Sequence, residues 1–274
     1  MADIVLTAGV RSNLLQLQKT SDLITNTQTK LATGKRVNSA LDNPINFFTA
    51  AGLSNRASDL GNLLDSMSTA FNTIQAANNG ITSITKLVQS AQALVSQAQQ
   101  TSDTTIRAGL ATQFNAILAQ VDQLAGDSGF NGINLLDSSN SADLTVTLNE
   151  SGSSSVTISA VDFTTGGTLA VNNSANNWAG DSDIAAASTD LTAALTTLRS
   201  QAQAFGSNLS TVQIRQDFTK AMINTLQTGS DALTLADSNE EGANLLALQT
   251  RQQLSTTALS LASQASQAVL RLFG

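Results

Sequence analysis

Two short segments of the chain carry side chains that could do chemistry. The first, Gly34-Lys35-Arg36, places a cation directly after a glycine, as the phosphate-binding P-loop does. A P-loop also has a glycine five residues earlier and Ser or Thr after the lysine, whereas this chain has Thr29 and Arg36 at those positions. We therefore interpret this segment as a loop in which Gly34 ends a helix.

The second segment is acidic and contains Asp237, Glu240 and Glu241. Carboxylates in a cluster can bind a cation or transfer protons, but neither a glycine-bearing calcium loop nor a second acidic motif accompanies these three. The cluster is better interpreted as a solvated linker, or as an ionic partner for Lys35 or Arg36 of the same or a neighbouring copy.

The composition excludes most catalytic chemistry. The 274 residues include no cysteine and no histidine, which removes disulfides, thiolate nucleophiles, the commonest zinc ligands and histidine proton transfer. A formal net charge of -7 opposes nucleic-acid binding, and no apolar run is long enough for a membrane span. The N-terminus also lacks the pattern of a cleavable signal peptide. We predict a protein that is not an enzyme and has no cofactor, metal site or catalytic residue.

A seven-residue repeat of apolar residues runs from residue 45 to about 100. A second apolar set follows three positions behind the first, which is typical of a coiled-coil seam. The predicted seam residues are Leu60, Met67, Ile74, Ile81, Val88 and Val95. Because a helix rises 1.5 Å per residue, this helix would be roughly 80 Å long, and we expect a rod.

The segments after the long helix predict a mainly α fold. One helix follows TSDTT and ends near the glycines of AGDSGFNG, and another runs from about 184 to 235. Between them, the alternating runs LTVTL, VTISAV and TLAV within residues 137–182 predict one or two β-hairpins. The expected fold is a long antiparallel coiled-coil bundle with a small β-hairpin insertion.

Both chain ends read as amphipathic helices that lie beyond polar breaks, and Pro44 suits the first turn of the helix after the first break. We expect the two terminal helices to pair and to pack in the core of an assembly through Leu14, Leu17, Ile24, Leu31, Leu254, Leu261 and Leu272. The predicted domains are terminal helices 1–33 and 243–274, linkers 34–44 and 236–242, rod helices 45–136 and 183–235, and insertion 137–182.

Such a terminal pair predicts self-association. Short isolated helices are marginal in water, and each leucine removed from water contributes about 1.5 to 3 kcal/mol. If the partner surface lies on the next copy along an array, the contact is open-ended and gives a helical filament rather than a closed dimer.

Three motifs resemble segments of bacterial flagellins, in the order found in that family. LATGKRVNSALDNP resembles LSSGxRINSAxDD, QFNAILAQVDQLAGDSGFNGINLL is similar to QxxxIxxQLxxIxxxTxFNGxxLL, and LSTTALSLASQASQAVLRLFG resembles QQAxxSxLAQANQxxQxVLxLL. The resemblance is to a short, alphaproteobacterial type of flagellin without the family's large outer domains. One departure is Asn43-Pro44, where many flagellins continue the acidic DD into AAG.

The resemblance implies a subunit of the extracellular flagellar filament, exported unfolded through the flagellar secretion channel. It also implies an export chaperone and the hook-associated junction and cap proteins as partners, besides other copies of the chain. Residues 84–97 lack the LQRVRELAVQ motif through which some flagellins are sensed by an animal innate receptor, which argues against that recognition.

Three alternatives remain open from the residues themselves. A hook-filament junction protein would share both terminal helices, and a cytoplasmic coiled-coil adaptor would share the heptads. An enzyme housed in the insertion would have to work without histidine, cysteine or clustered acids. Only a filament subunit is expected to form long uniform polymers.

Overall fold

The computed structural model describes residues 8–139 and 142–273, except for the side chains of Ala8, Ser266 and residues 269–273. These residues form five α-helices, one short helical turn and one two-stranded sheet. The elements are α1 (Ala8–Thr33), α2 (Pro44–Gln99), α3 (Thr104–Asp127), β1 (Leu144–Thr147), β2 (Ser155–Ile158), the turn Ala175–Trp178, α4 (Asp181–Thr234) and α5 (Ser238–Phe273). The prediction of a mainly α fold with a small β insertion is confirmed.

The chain divides into two compact units. The terminal unit comprises Met1–Asn55 with Thr225–Gly274, and the central unit comprises Arg56–Asn224, so α2 and α4 contribute to both. Acidic residues outnumber basic ones by 13 to 6 in the central unit, whereas the terminal unit has seven of each. The central unit therefore carries the whole net charge of the chain.

A single hydrophobic core holds the central unit together. All six predicted seam residues of α2 are buried, and so are the four alanines of the second apolar set, Ala70, Ala77, Ala91 and Ala98. Five of the six, Met67 to Val95, share one apolar cluster with residues of α3 and α4, among them Phe114 and Leu198. The ring of the fully buried Trp178 lies 4.9 Å from that of Phe114, just before α4 begins. Alanine at alternate seam positions lets helices approach closely, which suits a core with few aromatic residues.

The insertion contains one β-hairpin. Strand β1 pairs antiparallel with β2, from Leu144 opposite Ile158 to Thr147 opposite Ser155. The run TLAV at 168–171, predicted as a strand, forms no strand. The chain folds back just before this run. A Cβ atom added at Gly167 would meet Asp162, and the N–H of Thr168 donates a hydrogen bond to the Asp162 carbonyl at 2.7 Å. Leu169 and Val171 are buried although they lie in a loop, whereas Ala170 is exposed, so alternation alone misidentified the run as a strand.

Among the described residues, no helix combines the length and apolar character needed to cross a membrane.

Candidate assembly surface

Helices α1 and α5 pack against each other. The less exposed residues of each recur at spacings of three and four, as expected for two paired helices. On α1 this inner face contains Asn13, Leu17, Thr20, Ile24, Thr27 and Leu31, and on α5 it contains Glu241, Leu245, Leu248, Gln252, Ser255, Leu259 and Ala262. Three of the predicted packing residues, Leu17, Ile24 and Leu31, lie on this face.

The other side of α5 presents apolar side chains to solvent. Leu246, Leu254 and Leu261 are 66%, 67% and 61% exposed. Alanines at positions 258, 265 and 268 are exposed on the same side, because these spacings return to one face of a helix. We call this face, Leu246 to Ala268, the outer stripe of α5. It contains two more predicted packing residues, Leu254 and Leu261.

The two remaining predicted packing residues differ in what the structure shows. Leu14 on α1 is partly exposed and lies beside the more exposed Leu15. Leu272 falls within α5, but its side chain lies outside the described residues.

Exposed apolar residues concentrate in the terminal unit. Of the fourteen large apolar side chains most exposed in the described residues, ten belong to that unit although it is the smaller one. These ten are Leu14, Leu15, Leu23, Leu41, Ile45, Phe48, Leu235, Leu246, Leu254 and Leu261. Exposed apolar side chains in this number favour an interaction surface on the terminal unit.

The connection between α1 and α2 pairs with the connection between α4 and α5. Gly34 ends α1 in a left-handed conformation, with φ of 68°, and its carbonyl accepts a 3.0 Å hydrogen bond from the N–H of Ala236. Lys35 and Leu235 form an isolated antiparallel bridge, and the N–H of Arg36 donates to the Thr234 carbonyl at 2.8 Å. The two breaks in the helices are therefore joined backbone to backbone.

The predicted linker at 236–242 is shorter than expected, because α5 already begins at Ser238. The Asp237 carboxylate accepts hydrogen bonds from the N–H groups of Asn239 and Glu240 at 2.8 and 3.3 Å, as an N-cap does. Glu240 and Glu241 follow in the first turn, where negative charge complements the helix dipole. The acidic cluster thus starts a helix, and the aspartate three residues before a glutamate was the signal that could have shown it.

The cations near this cluster have definite partners. The Lys30 ammonium lies 2.9 Å from the Glu241 carboxylate, whereas the Arg36 guanidinium donates to the Ala232 carbonyl at 3.0 Å. Within one chain, the cation that pairs with the acidic segment is therefore Lys30, and not Lys35 or Arg36. A contact of Lys35 or Arg36 with a neighbouring copy stays a prediction.

The polar residues before α2 also accept hydrogen bonds from backbone N–H groups. The Asn43 side chain accepts from the N–H of Asn46 at 3.0 Å and caps the helix that Pro44 begins. The Asp42 carboxylate accepts from the N–H groups of Ser39 and Asn38, both at 2.9 Å. These two hydrogen bonds favour the charged form and hold the pKa of Asp42 below its ordinary value.

Comparison with known proteins agrees with this architecture. Residues 7–141 match the profile of the bacterial flagellin N-terminal helical region, and residues 188–273 match the bacterial flagellin C-terminal helical region. Flagellin FljO of Caulobacter vibrioides is 30% identical over 267 residues, which cover 97% of this chain and 96% of the relative. The chain belongs to the bacterial flagellin family.

Two further matches accompany these. A flagellin of Brucella melitensis is 26% identical to this flagellin over 282 residues, covering 100% of this chain and 99% of the relative. A crystal structure of Bacillus cereus flagellin covers 58% of this chain and 88% of its own, with 21% identity and a TM-score of 0.48.

As a flagellin, the chain is a structural subunit that polymerises into the extracellular flagellar filament used for swimming. Its family is structural rather than enzymatic. In the part of the chain that the structure describes, no group of three or more acidic, histidine or cysteine residues is arranged to hold a metal ion. Nothing in these matches favours a junction protein or an adaptor over a flagellin.

Proposed function

We propose that this flagellin polymerises through its paired terminal helices, with the outer stripe of α5 packed against neighbouring copies in the filament core. Residues 1–33 and 243–274 form the innermost layer in this proposal, residues 45–136 and 183–235 surround it, and residues 137–182 face outwards. The single observation that carries the proposal is that α5 has two apolar faces, of which α1 covers only one.

The energetics favour covering the outer stripe with other copies. Burial of a leucine contributes about 1.5 to 3 kcal/mol, and the stripe presents three leucines that are more than half exposed. Because each subunit has many neighbours in a helical polymer, these gains add along the filament and offset the entropy lost on association. The balanced charge of the terminal unit, with seven acidic and seven basic residues, also permits close approach of identical copies.

Paired substitutions on the outer stripe test this proposal. We expect Leu254→Ser with Leu261→Ser to abolish or strongly impair seeded polymerisation, as measured by light scattering and electron microscopy. Leu254→Met with Leu261→Met keeps apolar area at the same positions and should polymerise like the parent protein. Helical content of the monomers, measured by circular dichroism, should be equal in both variants because these side chains are exposed.

A serine variant that polymerises at the parent's critical concentration would show that the outer stripe is not a packing surface. Loss of polymer in the methionine variant as well would point to side-chain shape rather than apolar burial, which also contradicts the proposal.

Export through the flagellar secretion channel belongs to the same proposal, with an export chaperone before assembly and the junction and cap proteins at the filament ends. These partners are supported by membership of the family rather than by a contact in the chain. Co-purification of the full chain with the chaperone from the producing cell, and its loss on deletion of residues 254–274, would test the first of them.

A further inference from the structure

We propose that a cleft beside strand β1 binds an extended, cationic peptide segment of another protein, which pairs with the free edge of β1 as a third strand of the sheet. All residues that line the cleft belong to the central unit. The proposal therefore does not depend on the polymerisation proposed above, which uses the terminal helices.

The cleft lies between α2 and the β-hairpin and has a volume of about 850 Å³. One wall is a face of α2, whose lining residues recur every three or four positions from Asp59 to Thr73. At 1.5 Å per residue this wall is roughly 21 Å long. The opposite wall is β1, all of whose residues line the cleft. An extended peptide of about six residues has the length of this cleft.

Strand β1 has an unpaired backbone edge. Just beyond its end, the N–H of Leu148 donates to the Ser154 carbonyl at 2.8 Å, and the pairing of β1 with β2 continues in that register. Because the backbone groups of an antiparallel strand alternate in direction, Thr145 and Thr147 direct their N–H and C=O groups away from β2. These groups have no hydrogen-bond partner within the described residues. An edge of this kind can pair with another strand.

The cleft runs along this edge rather than over one face of the sheet. Successive side chains of a strand point to opposite faces, yet Leu144, Thr145, Val146 and Thr147 all line the cleft. Among the described residues, none from β2 lines it. A peptide in the cleft would therefore lie beside β1, where main-chain hydrogen bonds can hold it.

The apolar part of the lining favours an occupant with alternating apolar residues. Leu63 of α2, Ile133 and Val146 of β1 all line the cleft. Every second side chain of an added strand lies on the same face as Val146, so apolar residues at alternate positions of the peptide would contact this part of the lining.

The charges of the cleft favour a cation on the occupant. The ionisable side chains of its lining, Asp59 and Glu150, are both carboxylates. Arg56 lies 2.6 Å from Glu150, whereas Asp59 is exposed and makes no ion pair within the described residues. These three charges leave one net negative charge, in a unit with 13 acidic and 6 basic residues. A basic peptide is therefore attracted to the cleft and an acidic one is repelled.

A synthetic peptide tests the site on the monomeric full chain. The probe is KTVTVTK with both ends blocked, which alternates valine with threonine and has a lysine at each end, so that it suits either strand direction. We expect saturable binding that slows amide hydrogen exchange at Thr145 and Thr147. Exchange at Thr157, whose N–H lies on the far edge of β2, should not change.

Two altered peptides are the controls. KTVTVTK that is N-methylated along its backbone cannot donate hydrogen bonds to β1 and should not bind. ETVTVTE keeps the alternation but reverses the charge, and it should bind about tenfold more weakly or less. No binding of KTVTVTK at millimolar concentration, or equal binding of the N-methylated peptide, would overturn the proposed strand pairing.

Two proline variants test which edge of the hairpin is used. Thr145→Pro removes an N–H that points away from β2, so the hydrogen bonds between the strands remain, and we expect binding of KTVTVTK to be lost. Thr157→Pro is the matched control, because Thr157 lies opposite Thr145 and directs its N–H to the other edge. It should bind like the parent chain. The amide shifts of Val146 and Val156 show whether the hairpin persists, and equal binding by both variants with an intact hairpin would overturn the proposal.

A charge variant tests the cation without altering the strand. Asp59→Asn should weaken binding of KTVTVTK several-fold, because the peptide loses its unpaired carboxylate partner. Asp65→Asn removes an exposed carboxylate that lies on the same helix outside the cleft, and it should have little effect. Equal weakening by both variants would overturn the contact with Asp59. None of these results bears on the outer stripe of α5, whose role is measured by polymerisation.

Discussion

Lys30, in the last turn of α1, donates a hydrogen bond of 2.9 Å to Glu241, in the first turn of α5. Each charge also lies at the helix end whose dipole it complements, a cation at a C-terminus and an anion at an N-terminus. The Glu241 side chain is 13% exposed and that of Lys30 is 36% exposed, so water screens the pair only in part. The pair therefore joins the last turn of α1 directly to the first turn of α5.

A double-mutant cycle with Lys30→Met and Glu241→Gln should give a coupling free energy of about 0.5 to 1 kcal/mol at low salt, since the pair is partly exposed. Urea unfolding of the monomeric full chain, followed by circular dichroism, measures it. The coupling should decrease in 1 M salt because ions screen exposed charges. The control is the same cycle with Lys19→Met, on the same helix, in place of Lys30→Met. An equal coupling free energy between Lys19 and Glu241 would contradict a specific pair of Lys30 with Glu241.

Removal of the Asp237 cap should weaken the start of α5. We expect Asp237→Ala to lower the free energy of unfolding by about 1 kcal/mol, because the N–H groups of Asn239 and Glu240 lose their acceptor. Asp237→Asn retains a capping oxygen and should lose much less. Amide hydrogen exchange at residues 239 and 240 should accelerate only in the alanine variant, and equal exchange in both variants would show that the side chain does not cap the helix.

Alanine substitutions at two glycines of the terminal unit should change the free energy of unfolding in opposite directions. Gly34 has φ of 68°, a conformation that is strained for alanine, so Gly34→Ala should lower the free energy of unfolding by about 1 to 2 kcal/mol. The loss comes from the backbone and not from a clash, since no atom lies within 4 Å of the added Cβ. Gly52 lies inside α2 with equally open surroundings, and Gly52→Ala should stabilise by about 0.5 to 1 kcal/mol. Thermal unfolding measures both, and a stabilising Gly34→Ala would contradict the left-handed helix end.

Acid should loosen the segment before α2. The N–H groups of Ser39 and Asn38 lower the pKa of Asp42 in the folded chain. The stabilisation from this carboxylate is therefore fully present above the pKa of an unfolded aspartate, about 3.9, and is lost as the pH falls through the lower folded pKa. The NMR shifts of the amides of Asn38 and Ser39 should report this titration. In Asp42→Asn, the same amide shifts should stay constant over that pH range. A pH dependence that persists in this variant would show that another group titrates.

Local chemistry made several features of this flagellin predictable. The heptads of α2 specify one buried face because residues three and four apart share a side of a helix, and Leu60 to Val95 are buried accordingly. Gly34 and Pro44 mark a helix end and a helix start through their own backbone preferences. The family motifs added the identity of the protein, because they occur in order at both chain ends.

Features that depend on distant partners were not predictable in the same way. Residues 168–171 alternate like a strand but lie in a loop, since the only strands among the described residues, β1 and β2, pair with each other. The acidic segment 237–241 looks like a linker until its carboxylates are seen to cap α5 and to reach Lys30.

The sequence by itself determined the helical periods, the breaks between helices and the family, because these depend on residues close together in the chain. Only the tertiary structure decided which face of each terminal helix is covered. Leu17 and Ile24 face the helix pair whereas Leu254 and Leu261 face solvent, although all four fit an apolar stripe. The reason is that periodicity shows that a stripe exists, whereas the partner that covers it is set by how the two chain ends meet.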